Sequence, residues 1–183
     1  MDKKNKVWNS LEIAKLIVGI AMPISIASFG VITNITLQES NHNFSLNKII
    51  ITKRAEIYEK IGKKLNNIYC YIEEVGEYKD MTPETILKDR RDLNSKMHSH
   101  RAFWSPETFD LYLNYMDREA FALWQGEVTD ARIKDDPGQK RSLPSWQEDW
   151  NNRFTGMESP THKQSYELLL NSIASDLGIN NSR

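Results

Sequence analysis

The segment Arg90-Arg91-Asp92-Leu93-Asn94-Ser95-Lys96-Met97-His98-Ser99-His100 concentrates the side chains best suited to chemistry in this 183-residue chain. Arg91 and His98 stand seven residues apart, two turns of a helix, so both project from one face. A guanidinium binds phosphate oxygens, and an imidazole moves a proton near neutral pH. Together on a phosphodiester they suit metal-independent cleavage of RNA through its 2′-hydroxyl. Arg90, Asn94 and Lys96 are the neighbours placed to hold the RNA backbone. One Arg–His pair is a sparse site, so a dimer supplying two is expected. An Arg, then Asp, Asn or His, then a His at this distance arises by chance roughly 0.1 times in a chain of this composition. The competing reading is a solvated helix face, with Arg91 paired to Asp92 or Glu84.

Other chemistry is sparse. No phosphate-cradling glycine loop, zinc-binding helix motif or nucleophile elbow is present, and neither a metal nor a cofactor is expected. Cys70 is the single cysteine, which removes any disulfide framework and reads as a small apolar side chain on a helix. His42 lies in a connector and His162 in a first helical turn, and both read as solvated. Lys60, Lys63 and Lys64 form a basic strip, read as a solvated face with phosphate or lipid headgroups as the alternative. Lys and Arg number 24 against 25 Asp and Glu, a net charge of −1 that argues against a coat for nucleic acid. The balance is uneven. Residues 47–101 hold 12 basic and 9 acidic side chains, net +3, and residues 102–183 hold 8 and 13, net −5.

Positioning elements begin with a run hidden by a mean hydropathy of −0.59. From Leu16 to Ile35 the chain reads LIVGIAMPISIASFGVITNI, without a charge. As a helix, twenty residues rise about 30 Å, the thickness of a bilayer's hydrocarbon core. Trp8 and Lys15 precede it as an interfacial aromatic and a snorkelling cation. Ser25-Ile26-Ala27 resembles a signal-peptide cleavage site, but the apolar run continues through Phe29, Val31, Ile32 and Ile35, which favours a retained anchor. Lysines on both sides leave its orientation open. Ile17, Ile20, Ile24, Val31 and Ile35 form a lipid-facing side. Ala21, Ser25 and Ser28 flank it, and Gly19, Pro23, Gly30 and Asn34 lie largely opposite. Small and polar stripes of this kind suit helices packed side by side or lining a pore, as in a ring of identical subunits. A slightly polar anchor is the plainer alternative.

Beyond a polar connector at 38–45, residues 46–183 are expected to form an all-α bundle. Ile50, Ile57, Ile61, Leu65, Ile68, Ile72 and Val75 mark one long helix over 46–78. Thr82-Pro83-Glu84, Ser105-Pro106-Glu107 and Ser159-Pro160 each set a cap before a proline, predicting helices over 83–100, 106–134 and 160–177. Phe109, Tyr112, Leu113, Met116, Ala120, Leu123 and Trp124 are the apolar face of the second. Asp135 to Gly138 is a turn, and a further short helix is expected within 144–154. No segment shows clear period-two alternation.

The layout and the Arg91-Asp92-x5-His98 element together resemble the membrane-bound form of the HEPN superfamily. The chain looks like the small accessory membrane proteins encoded beside the RNA-guided RNases of type VI-B CRISPR systems. Six residues between Arg91 and His98 is the long end of that family's spacing. The resemblance implies a bacterial inner-membrane protein, single-pass, with its HEPN-like domain in the cytoplasm. It further implies a homo-oligomeric pore, octameric, that depolarises the membrane in antiviral defence once the partner RNase recognises target RNA. Three functions are therefore expected in order: such a pore, a membrane-tethered ribonuclease using Arg91 and His98, or a membrane-anchored scaffold presenting exposed Trp and Tyr side chains.

Overall fold

In a computed structural model of the full chain, the structure describes residues 45–126 and 129–179. The expected membrane span, with Ala21, Ser25, Ser28, Gly30 and Asn34, and the connector residue His42 lie outside them. Among the described residues no helix is long and apolar enough to cross a membrane. The chain divides into two compact units, Met1–Lys48 and Ile49–Arg183, and the boundary falls within the first turns of the first described helix.

Helix α1 occupies residues 45–72. Its stripe Ile57, Ile61, Leu65, Ile68 and Tyr71 is almost wholly buried, as i, i+4 spacing dictates for one helix face. The helix stops earlier than the apolar periodicity suggests. Glu74 takes a left-handed φ of 54° and Gly76 one of 63°, and the Val75 amide closes the last turn on the Cys70 carbonyl at 3.0 Å. Val75, expected on the apolar face, is exposed beyond that stop.

Helix α2, Pro83–Ser99, and helix α3, Pro106–Asn114, start where the Thr-Pro and Ser-Pro pairs place them. Thr82 accepts from the Thr85 amide and Ser105 from the Thr108 amide, both at 3.2 Å. Ile86, Leu87, Leu93 and Met97 bury one side of α2. After α3 the chain departs from expectation. Residues Tyr115–Ala120 form a π-helical turn, and the backbone then extends into β1, Phe121–Trp124, paired antiparallel with β2, Asp130–Ile133. The register sets Phe121 opposite Ile133 and Trp124 opposite Asp130. The expected helix over 106–134 is thus half helix and half hairpin. The unit is mostly helical with a small two-stranded sheet, where an all-α bundle was expected.

The physical reason lies in the π turn, whose extra residue per turn breaks the 3.6-residue register. Phe121, Ala131 and Ile133 then face the core, while Leu123, expected to be buried on a helix, is exposed. Beyond β2, the expected short helix is a 3-10 turn, Glu148–Arg153, and Phe154 bridges Ile133. Helix α4, His162–Asp176, buries Tyr166, Leu169 and Ile173. Trp104, Trp150, Tyr71, Tyr112, Tyr115 and Tyr166 are buried. Tyr58, Tyr69, Tyr78, Trp124 and Trp146 are half-buried. Among the described residues, the exposed large apolar ones are Leu46, Ile49, Ile50, Ile51, Val75, Leu123, Met157, Leu168 and Ile179.

Candidate functional site

Helix α2 places Arg91 and His98 on its outer side. Arg91 is 58% exposed and reaches the Asp130 carboxylate on β2 at 3.4 Å. That long, solvated contact holds the guanidinium only weakly. Its partner is Asp130, 39 residues away, where Asp92 or Glu84 was expected. His98 is exposed and sets its ring edge-on to Phe109, centroids 5.2 Å apart. The Arg101 guanidinium lies 4.6 Å from the centre of the same ring. Seven residues of helix separate Arg91 from His98 by a rise of roughly 10 Å. A shared phosphate therefore requires both side chains to bend toward it.

The three flanking residues differ from one another. Arg90 lies over Phe121 at 5.4 Å and meets Asp117 at 3.4 Å, with its Nε buried and without a partner. Asn94 accepts from the Tyr112 hydroxyl at 2.5 Å. Both spend their side chains on the π turn, β1 and α3. Lys96 is half-buried, and its carbonyl accepts from the His100 amide at 3.1 Å. Of the basic strip on α1, Lys64 binds Asp89 at 2.9 Å and Asp92 at 3.0 Å. Those hydrogen bonds raise its pKa, and the Lys64 bond lowers that of Asp92.

A second constellation gathers at the other end of α1. His162, read as solvated from its place in a first helical turn, is 1% exposed. Its Nδ1 donates to the Glu73 carboxylate at 2.7 Å, and its Nε2 lies 3.0 Å from the Tyr115 hydroxyl. A carboxylate only accepts, so Nδ1 carries the proton and the hydroxyl donates to Nε2. The ring also stacks on Tyr69 at 5.8 Å, and Tyr69 stacks on Tyr166 at 4.1 Å. Burial lowers the His162 pKa despite Glu73 and Glu119, which favour the cation. Burial likewise holds the Tyr115 hydroxyl well above its ordinary range.

Beside this triad runs a cleft of about 420 Å³ bordered by Glu73, Glu74, Asp135, Asp136, Glu158 and His162. Two of these carboxylates are held by Lys140, 1% exposed and bound to Asp135 at 2.5 Å and Glu74 at 3.0 Å. Its ammonium also sits 5.2 Å from the centre of Tyr71. Burial pushes Asp135 up to about 6 against the pull of Lys140. For Glu119, burial pushes upward, but hydrogen bonds from Ser159 and Thr161 bring its pKa below the ordinary value.

These groups are joined across 66 residues for Lys140–Glu74, 47 for Tyr115–His162 and 89 for Glu73–His162. No local motif announces them. Chemically, both nitrogens of His162 are already bonded and Tyr115 is fully buried, so neither is left free to act as a nucleophile or base. Among the described residues no group of His, Cys, Asp and Glu side chains is arranged to hold a metal ion. Comparison with protein-family models, with curated proteins and with solved structures finds no match to this chain.

Proposed function

We propose that this chain is a homo-oligomeric, pore-forming membrane protein of bacterial antiviral defence. In this reading it sits in the inner membrane as a single-pass protein with a HEPN-like cytoplasmic domain. It acts beside an RNA-guided CRISPR RNase and depolarises the cell once target RNA has been recognised. The observation that carries this reading is the uncharged Leu16–Ile35 run, long enough to span and striped with Ala21, Ser25, Ser28, Gly30 and Asn34. A passive anchor needs only apolar side chains, whereas close-packed neighbours need small ones. The Arg91-Asp92-x5-His98 element supports the family link. A mass measurement of the detergent-solubilised protein tests the ring directly. A particle near eight times the 21.3 kDa chain mass is expected, and a stable monomer overturns it.

The second reading is a membrane-tethered ribonuclease. It is favoured by the shared outer face of Arg91 and His98 and by their exposure to solvent. Two copies in an oligomer would supply the paired sites that one Arg and one His cannot. The His98→Ala variant on single-stranded RNA decides it. Cleavage by the parent protein and loss in the variant is the expected signature, and unchanged cleavage, or none by the parent, rejects it.

A further inference from the structure

Arginines from separate elements meet on the outer side of the hairpin. Asp130 and Arg132 share one face of β2, opposite to that of buried Ala131 and Ile133. Arg91 arrives from α2 and Arg153 from the 3-10 turn, and both reach the same oxygen, Asp130 Oδ2, at 3.4 and 3.3 Å. Neither contact is a fork. A single nitrogen of Arg91, Nη1, lies 3.4 Å from both carboxylate oxygens, where a charge-assisted bond closes to about 2.8 Å. Arg153 divides itself between Asp130 and Glu84, the latter at 3.5 Å. Asp130 is fixed from its own strand, since Oδ1 accepts from the Ala131 amide at 2.8 Å. Arg132 gives its guanidinium to the Phe154 carbonyl, a neutral acceptor that leaves its charge uncancelled. The guanidiniums of Arg91, Arg132 and Arg153 thus outnumber the carboxylates of Asp130 and Glu84. Across the hairpin the register sets half-buried Trp124 opposite Asp130, and directly opposed residues share a face.

We propose that Arg91 and Arg153 form a binding site for a nucleotide phosphate, which enters by displacing the Asp130 carboxylate that both now hold. The proposal deepens the second reading above and rests on Arg91 being its phosphate ligand. One oxygen already touches both guanidiniums. A phosphate carries more oxygens than a carboxylate, so it bridges the pair and uses N–H donors that Asp130 leaves idle. Arg153 is the second cation because the other candidates are engaged. Arg90 meets Asp117, Asn94 holds the Tyr112 hydroxyl, and His98 lies two turns along α2. Trp124 selects a nucleotide over a bare anion. An aromatic ring beside arginines is the pairing that holds single strands, with guanidinium on the backbone and the ring stacked on any base. Asp130 then acts as an internal competitor: its fixed carboxylate occupies Arg91 until a ligand of higher charge replaces it.

The test uses the detergent-solubilised full chain and a fluorescein-labelled hexamer of 2′-O-methyl uridine, which has phosphates and bases but no free 2′-hydroxyl to support cleavage. Binding is read by anisotropy at low salt, with thermal melting as the check on each variant's fold. Arg91→Gln and Arg153→Gln are each expected to weaken binding about tenfold. Asp130→Asn keeps an acceptor for the Ala131 amide, removes the competing charge, and is expected to strengthen binding about threefold. Glu84→Gln, which frees Arg153 without touching Asp130, should act in the same direction. Adenosine monophosphate should compete at lower concentration than inorganic phosphate, and Trp124→Ala should remove that difference. Unchanged binding in Arg153→Gln, weaker binding in Asp130→Asn and Glu84→Gln, or no binding by parent and Asp130→Asn alike overturns the site. Equal competition by the two phosphates in the parent chain overturns its assignment to nucleotides. Ordinary RNA scores the ribonuclease reading separately. Binding without cleavage sinks that reading and leaves the site, whereas cleavage by a chain whose strand binding ignores Arg153 sinks the site alone.

Discussion

Replacing His162 with Ala removes the donor to Glu73 and the acceptor of Tyr115 and leaves a buried void. A loss of about 3 kcal/mol in unfolding free energy is expected, from the cavity together with a stranded hydroxyl. The His162→Gln variant separates packing from titration. The folded His162 pKa lies below its unfolded value near 6.5, so between the two the unfolded chain binds more protons. Stability from this group is present above about pH 6.5 and is lost as pH falls through the folded value. Asp135 works in the opposite sense. Its pKa is raised to about 6 in the fold from 3.8, so its contribution is full below about 4 and is lost as pH rises through about 6. Melting curves between pH 7 and 5 should therefore show a shallower acid loss for His162→Gln than for the parent protein. A steeper loss would rule out a buried neutral histidine. Lys140→Met, which strands Asp135 and Glu74, is expected to cost roughly 3–5 kcal/mol in denaturant titrations. Adding Asp135→Asn should recover part of it.

Among the elements, α1 carries a prediction that separates covered from uncovered stripe. Ile61→Ala, at 1% exposure, should cost about 2–5 kcal/mol, while Ile50→Ala should stay within roughly 1 kcal/mol in unfolding titrations. Equal losses would mean that the core extends to Ile50. The same helix shows which features local sequence specifies. Ile57, Ile61, Leu65 and Ile68 were legible because one face of a helix repeats every 3.6 residues, and Thr82-Pro83 and Ser105-Pro106 were legible because a cap bond and a proline act locally. What followed α3 was not. Leu123 and Trp124 continue a plausible i, i+3 and i+4 pattern from Met116 and Ala120, yet the π turn at Tyr115–Ala120 shifts the register and sends them into a strand. Four-residue strands are too short for a period-two signal to stand out. The Glu73–His162–Tyr115 and Asp135–Lys140–Glu74 sets were illegible for a different reason: their members come from distant segments, and burial is a property of the fold. Arg91 and His98 needed only helical spacing to be placed on one face, but Arg91's partner Asp130 arrives from the unforeseen hairpin.

For the whole molecule, the mean hydropathy averages two parts whose joining defines the proposed function. A helical unit that buries its own core needs no bilayer to fold, and a span that merely tethers it needs no particular side chains. If the run is only a tether, exchanging Leu16–Ile35 for an unrelated polyleucine helix of equal length should leave activity in defence intact. If it forms the wall of a ring, the exchange removes Ala21, Ser25, Ser28, Gly30 and Asn34 together. Close backbone approach then fails, because leucine side chains hold neighbouring helices apart and offer no hydrogen bond across the interface. The expected outcome is a protein that still inserts, still has a folded helical domain by circular dichroism, and no longer sediments as an assembly or passes ions across vesicles. Ion flux is the decisive readout, since a ring held by the helical domains alone would keep its mass and yet lose a polar path through the membrane. An exchanged protein that conducts as well as the parent would leave the run no role beyond anchorage. Partial restoration by returning Ser25, Ser28 and Asn34 to the polyleucine background would place the conducting path on the side chains that can meet water.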